Sequence, residues 1–375
     1  MLKFAFAFLY CNLLLLVGAT QFAAAQDTLW LAAVKTEAGY GYLQKDGDWA
    51  IEPQFLRARP FAEGRAAVTT REGCRYVDAA GNFFPDTSFF RKCRNFSEGL
   101  AAVKKGEDWG YIYPSGEWFV EPRFNDATSY SQGFAPVKLG NKWGLLNDQG
   151  ELALYPDYDY VYHFEQGFAR FRESGQYGFM DTSLRVVMPA SLKRLQGFSE
   201  GLAEYQEGQR WGFIDTAGNT AIEVSFEKTG MFSNGLAYIE RYGRKGFINT
   251  EGEMQFAFNL PYLGWFKEGY CRFKKAGQWG YLNTRGETAL TPQFTEAFDF
   301  EGGVAPVAIG SSWGLINPEG EFVVPAQYET VLHFSGGLAV VEKADKWGYV
   351  NSAGQETIPP QYEQAGSFYP ASIGR

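Results

Sequence analysis

The sequence predicts an all-β fold, a tandem array of about ten three-stranded antiparallel β-meander repeats. Three observations carry that reading. A Trp-Gly dipeptide, or a substitute for it, returns every 34 residues from Trp109 to Trp347. Each return is followed by an aromatic, an aliphatic residue and usually an Asn/Asp-x-x-Gly turn. The strand so formed is apolar on both faces, which one small sheet cannot cover by itself.

Taking Trp109 as position 0, the same position holds Trp143, Tyr177, Trp211, Lys245, Trp279, Trp313 and Trp347. Upstream it holds Tyr40 and Cys74, with one extra residue in the second unit. The glycine at position 1 is expected to admit a close neighbouring sheet. Position 2 is mostly aromatic (Tyr42, Tyr111, Tyr281) and position 3 aliphatic or Met (Leu43, Ile112, Met180). Asn or Asp at position 4, with Gly at position 7, is the chemistry of a type I turn closed through a bulge. Leu184 replaces that glycine in one unit.

The next strand should centre on position 11 (Ile51, Val120, Leu290) and end at a proline such as Pro53, Pro122 or Pro292. Aromatics follow at position 15 (Phe55, Phe124, Phe294) and position 21 (Phe61, Phe164, Phe300). Their six-residue interval lacks two-residue alternation and reads as a packed connection rather than a strand. Glycine at position 24 then leads into a third strand, as in Leu100-Ala101-Ala102-Val103. Ten units with three strands each depart from the four to eight four-stranded blades usual in propellers. The expectation is therefore an open, curved, solenoid-like stack, with a closed propeller-like toroid as the alternative.

Residues 1–25 read as a signal peptide, leaving 26–375 as the repeat domain. Lys3 precedes the apolar run Phe4 to Gly18, and Ala23-Ala24-Ala25 supplies the small residues of a cleavage site. The expected destination is the periplasm, cell surface or extracellular space. No later segment has the length of a membrane span. Without Lys3 the formal charge of −9 becomes one unit more negative, which argues against nucleic acid as a partner. Export permits a Cys74–Cys93 disulfide, with Cys271 left free; two unpaired thiols are the alternative.

These residues resemble the WG-repeat family. Trp279-Gly280-Tyr281-Leu282-Asn283 and Phe198-Ser199-Glu200-Gly201-Leu202-Ala203 carry the likeness. Tyr40, Cys74, Tyr177 and Lys245 depart from it at the tryptophan. The resemblance implies a β-rich, secreted or envelope-associated array, and transfers no catalytic residue or ligand.

Chemistry is sparse in this composition. The two histidines, His163 and His333, share position 20, which duplication explains. No Cys/His cluster suggests zinc, no catalytic residue is assigned, and no cofactor is expected. Glu63, Glu98, Glu200 and Glu268 precede the position-24 glycine and read as turn residues before catalysts. Better candidates are aromatics outside the shared pattern: Trp49, Phe83 and Trp118 at position 9, Tyr160 and Tyr162 in unit four, and Trp265 and Tyr270 in unit seven. Exposed rings stack sugars or anchor protein partners. Against that, position 9 shares a strand face with the core position 11. The expected function is a non-catalytic scaffold presenting a protein- or glycan-binding surface in the cell envelope. A purely structural envelope protein is the alternative, and a carbohydrate hydrolase a distant third.

Overall fold

A computed structural model describes residues 28–84 and 89–371; the expected signal peptide lies outside the described residues. The chain forms ten four-stranded antiparallel sheets, the blades of a ten-bladed β-propeller. Among the described residues no helix is long and apolar enough to cross a membrane.

Both halves of the architectural expectation are corrected. The segment read as a packed connection is the fourth strand, A, which in blade 5 is Tyr160–Glu165. It is followed there by B (Phe168–Glu173), C (Gln176–Asp181) and D (Val186–Leu192). Its alternation is hidden by a bulge: Val161 pairs Phe171 and Phe164 pairs Ala169, so Tyr162 and His163 together face Arg170. Positions 18 and 21 are therefore both buried, three residues apart instead of two.

The array also closes. Strand A of blade 1 is the C-terminal Gln364–Pro370, paired with the N-terminal Trp30–Thr36 through Leu31↔Tyr369 and Lys35↔Gln364. The Lys35–Glu363 ion pair, 2.8 Å, flanks this junction. The junction is sealed as the internal seams are. Ser97 donates to the Tyr130 carbonyl and Ser131 to that of Phe164, each at 2.8 Å, and Ser335 of blade 10 donates likewise to Phe368 of blade 1. A strands thus meet their equivalents through short serine side chains, which places the A edges nearest the axis.

The core sits between blades. Tyr281, Leu290 and Phe294 of blade 8 pack with Ala297, Phe300 and Val307 of blade 9. This is how both faces of every sheet become dry, each side chain of this size contributing about 1.5–3 kcal/mol.

Strand D does not end at its proline. In blade 3 it runs Trp118–Phe124 through Pro122, with a register break between Tyr111↔Val120 and Trp109↔Phe124. D is an edge strand, so the missing donor leaves no ladder partner unpaired. The glycine of Trp-Gly answers to this break and not to a neighbouring sheet. A Cβ on Gly110 would lie 2.5 Å from the Val120 carbonyl oxygen and 2.8 Å from Pro122 N.

The turn chemistry is as expected. Gly286 (φ 76°) donates to the Asn283 carbonyl, while Asn283 Oδ1 accepts from the amides of Arg285 and Glu287. Leu184 adopts the same left-handed conformation at φ 61° without glycine's freedom.

Candidate functional site

The A-strand bulge, positions 19 and 20, is where the repeats differ most. In blades 1 to 4 and in blade 9 it is held from the preceding blade by a tyrosine at position 2, where the other units carry Phe or Leu. Tyr42 donates to the Arg59 carbonyl at 2.7 Å, Tyr111 to Thr128 at 2.8 Å, Tyr281 to Phe298 at 2.7 Å and Tyr349 to Gly366 at 2.8 Å. These phenols are buried, and burial pushes their ionisation well above the ordinary range, so they stay donors.

Next to the bulge, the A–B turns form a chain of latches. Glu63 accepts from the amides of Glu98 and Gly99, Glu98 from those of Gln132 and Gly133, and Glu268 from those of Gly302 and Gly303. Each glutamate has a left-handed backbone and caps the turn of the following blade. The geometry gives these acids a structural task.

At the bulge itself, four consecutive blades expose large apolar side chains. They are Met231 (51% exposed), Trp265 (54%), Phe298 (51%) and Leu332 (40%), in blades 7 to 10. Trp265 stacks on Tyr238 of blade 7 at 6.2 Å, and Phe298 lies 5.3 Å from the Trp313 ring. The corresponding slots elsewhere are polar, small or cationic: Arg59, Arg94, Thr128 with Ser129, Tyr162 with His163, and Gln196 with Gly197. The bulges of blades 7 to 10 therefore form an apolar arc, interrupted by Asp299 and His333, beside a more polar one.

Two arginines that the sequence reading missed brace this region. Arg170 lies 4.0 Å from the Tyr162 ring and donates to the Leu195 carbonyl of blade 6. Arg272, at the same repeat position in blade 8, donates to the Ala297 carbonyl and pairs with Asp299, both at 2.8 Å. Their signal was available: a charge at position 27, where most units carry Ala, Pro or Val. Glu204 holds that position in blade 6, buried, and burial pushes its carboxyl above the usual range.

The histidines do not form a reactive pair. Burial holds His163 below its ordinary value, while His333 Nε2 lies 3.3 Å from the Asp299 carbonyl. Among the described residues no three His, Cys, Asp or Glu gather as a metal site.

The structure scatters the remaining aromatic candidates. Trp49, Phe83 and Trp118 are half-buried in three successive seams, each edge-on to the position-15 ring of the preceding blade. Trp49 meets Tyr362 at 5.8 Å, Phe83 meets Phe55 at 6.2 Å and Trp118 meets Phe90 at 5.9 Å. Tyr160 packs on Trp143 and Tyr162, and Tyr270 on Phe300. Of the seven, only Trp265 exposes more than half of its surface. Cys74 and Cys93 are joined, with Cα atoms 6.0 Å apart. Cys271 is buried, which raises its thiol.

The sequence matches the WG containing repeat over residues 40–72, 90–107, 109–143, 143–177, 177–211, 211–244, 246–279, 279–311, 313–347 and 347–369. No curated protein shares significant sequence similarity with the chain. Among solved structures, one described as the crystal structure of the eukaryotic initiation factor is similar with TM-score 0.56 and 9% identity, covering 92% of this chain and 99% of that one. Dihydro-heme d1 dehydrogenase NirN in complex with DHE aligns at TM-score 0.41 and 12% identity, covering 92% of this chain and 76% of that one. Kluyveromyces lactis Hsv2p aligns at 0.37 and 12%, covering 64% and 98%. At such identities the first likeness speaks to the fold alone, and the other two carry no argument. Ten family matches spread along the described blades decide the assignment: the chain belongs to the WG containing repeat family.

Proposed function

We propose that the protein is a non-catalytic binding scaffold, exported to the cell envelope, that engages a protein or glycan partner through the A-strand bulges of blades 7 to 10. The observation that carries this reading is the exposure of one large apolar side chain in the A-strand bulge of four consecutive blades, Met231 and Trp265 at position 20 and Phe298 and Leu332 at position 19. Large apolar groups gathered on an exposed arc mark an interaction surface. Tyr238 and Trp313 support two of these rings from beneath, so little side-chain freedom is lost on binding. Export is supported by the N-terminal Lys3–Ala25 segment and by the Cys74–Cys93 bond, which persists in oxidising compartments.

The test replaces Met231, Trp265, Phe298 and Leu332 together by Ser. Pull-downs from envelope extracts and a glycan array are then compared with the parent protein at matched thermal midpoint. Loss of the captured partner is expected. Retention of every interaction by the quadruple variant would overturn the reading, as would recovery of the full chain only from the cytoplasm.

A further inference from the structure

Blade 7 differs from the others where its tryptophan should be. Lys245 takes position 0, and its ammonium donates to the carbonyls of Leu260 (3.0 Å) and Pro261 (2.9 Å). Beside it, Arg241 and Arg244 face one another as cross-strand partners across the Tyr242-Gly243 turn. Like charges directly opposed in an antiparallel pair are destabilising unless something lies between them.

Other blades place acids beside the corresponding cations. The cation just before position 0 is met by an acid at position 16: Lys142 by Asp159 at 2.7 Å, and Arg210 by Glu227 at 3.2 Å. In blade 10 the like-charged cross-strand pair Lys343 and Lys346 has acids at both positions. Glu356 at position 9 lies 3.9 Å from Lys343, and Glu363 at position 16 pairs with Lys35 at 2.8 Å. In blade 7 those two acid positions are Met254 and Pro261. Neither Arg241 nor Arg244 makes an ion pair among the described residues. Of the acids around them, Glu227 is committed to Arg210 and to the amides of Tyr242 and Gly243, and Glu240, opposite Lys245, pairs with Lys228 at 2.9 Å.

The three cations line an open groove of about 600 Å³ whose other walls are Ile239, Met254, Ala257 and Tyr242. Tyr242 is 76% exposed, with the Arg241 and Arg210 guanidiniums 5.3 Å and 5.9 Å from its ring. The groove is thus a locally cationic, partly apolar cleft with an aromatic wall, on a chain whose formal charge is −9. Guanidinium groups bind carboxylates and tetrahedral oxyanions through paired hydrogen bonds, and an exposed tyrosine stacks the face of a sugar ring.

We propose that blade 7 carries a binding site for an anionic saccharide, its carboxylate or sulfate held by Arg241 and Arg244 and its ring lying against Tyr242. The bound anion takes the place of the acids that blades 4, 6 and 10 build in. This site is separate from the apolar arc and does not depend on it.

Isothermal titration of the full chain with an oligogalacturonate, a sulfated dextran oligomer, a neutral cello-oligosaccharide and an oligoglutamate peptide tests the assignment. Binding of at least one acidic saccharide is expected, weakening with salt, and not of the neutral one. Arg241→Gln with Arg244→Gln should weaken it at least tenfold, and Tyr242→Ala severalfold, at unchanged thermal midpoint. The quadruple Ser variant of the apolar arc should bind as the parent does. Equal affinity for oligoglutamate, indifference to Tyr242→Ala, or no binding of either acidic saccharide would each overturn the proposal.

Discussion

Cys74 and Cys93 hold, as a covalent bond, the two repeat positions at which other seams press a tryptophan onto the next blade. Trp143 packs in one cluster with Val161, Trp279 with Ala297 and Trp109 with Ala127, the pairing of position 0 with position 18. In the seam between blades 2 and 3 the same two positions carry sulfur. The bond therefore replaces a packing contact with a tether closing a loop of 19 residues.

Removing it by Cys74→Ala with Cys93→Ala should cost about 3 kcal/mol. Hydrogen exchange should place the loss in blades 2 and 3. Cys74→Trp with Cys93→Val rebuilds the contact used elsewhere and should recover part of the stability under reducing conditions. Recovery no better than the double alanine variant would show that this seam cannot seat the ring.

The glycine of the Trp-Gly dipeptide and the register break of strand D are one device, whether position 13 holds Pro122 or, as in other blades, Ala190 or Val224. Gly110 lies under the register break of its own D strand, where Pro122 leaves no amide to pair. Gly110→Ala should destabilise by about 2–3 kcal/mol, because backbone must move to admit the methyl group. Gly99→Ala is the control: no atom lies within 4 Å of its new Cβ, and only the positive φ of 77° opposes it. Its cost should be about 1–2 kcal/mol. Equal losses in urea melts of the two variants would refute the steric account of Gly110.

Much of this was readable from residues alone. Anchors such as Trp279, turn units such as Asn283 to Gly286, and buried Tyr281 and Leu290 follow from spacing and turn chemistry. Strand A was missed because its bulge places Tyr162 and His163 against the single residue Arg170, which breaks the two-residue period that betrays a strand. Closure stood only as the alternative for another reason. Whether the first and last units meet depends on a small angle accumulated at ten seams, and no single seam encodes it. The Ser335 contact to Phe368 looks in sequence like that of Ser97 to Tyr130. The apolar arc was half legible: Trp265 stood out as a departure from the pattern, while Met231, Phe298 and Leu332 lay in the segment that read as a packed connection, where nothing marked them as exposed.

Glu204 gives a pH signature. Burial raises its carboxyl, with Thr229 drawing it back, so folding disfavours the ionised form. An acid raised in the folded state costs nothing below its unfolded value, about 4.3. The penalty grows as pH rises through the folded value, and is complete above it. Glu204→Gln should therefore raise the urea midpoint at pH 7 and lose that advantage as pH falls below about 4. An advantage that is constant with pH would mean the gain comes from packing and not from charge.

Trp49 and Trp118 supply the sharpest contrast between packing and binding. Each ring stands edge-on to an aromatic of the preceding blade, Tyr362 and Phe90. Blade 10 uses the same position differently: Glu356 accepts a hydrogen bond from Tyr328 of blade 9 at 3.1 Å, so there too the slot serves the seam it borders. Trp49 closes the junction between blades 10 and 1, and Trp118 the disulfide-bearing one between blades 2 and 3. Changing either to Thr removes a half-buried ring and its edge-on partner, and should cost about 2 kcal/mol. The two sites share no partner, so the losses should add in the double variant. Chemical denaturation of the two single variants and the double variant reads this directly. A double variant that melts with the parent yet loses its envelope partner would return these rings to the binding surface and remove them from the seams.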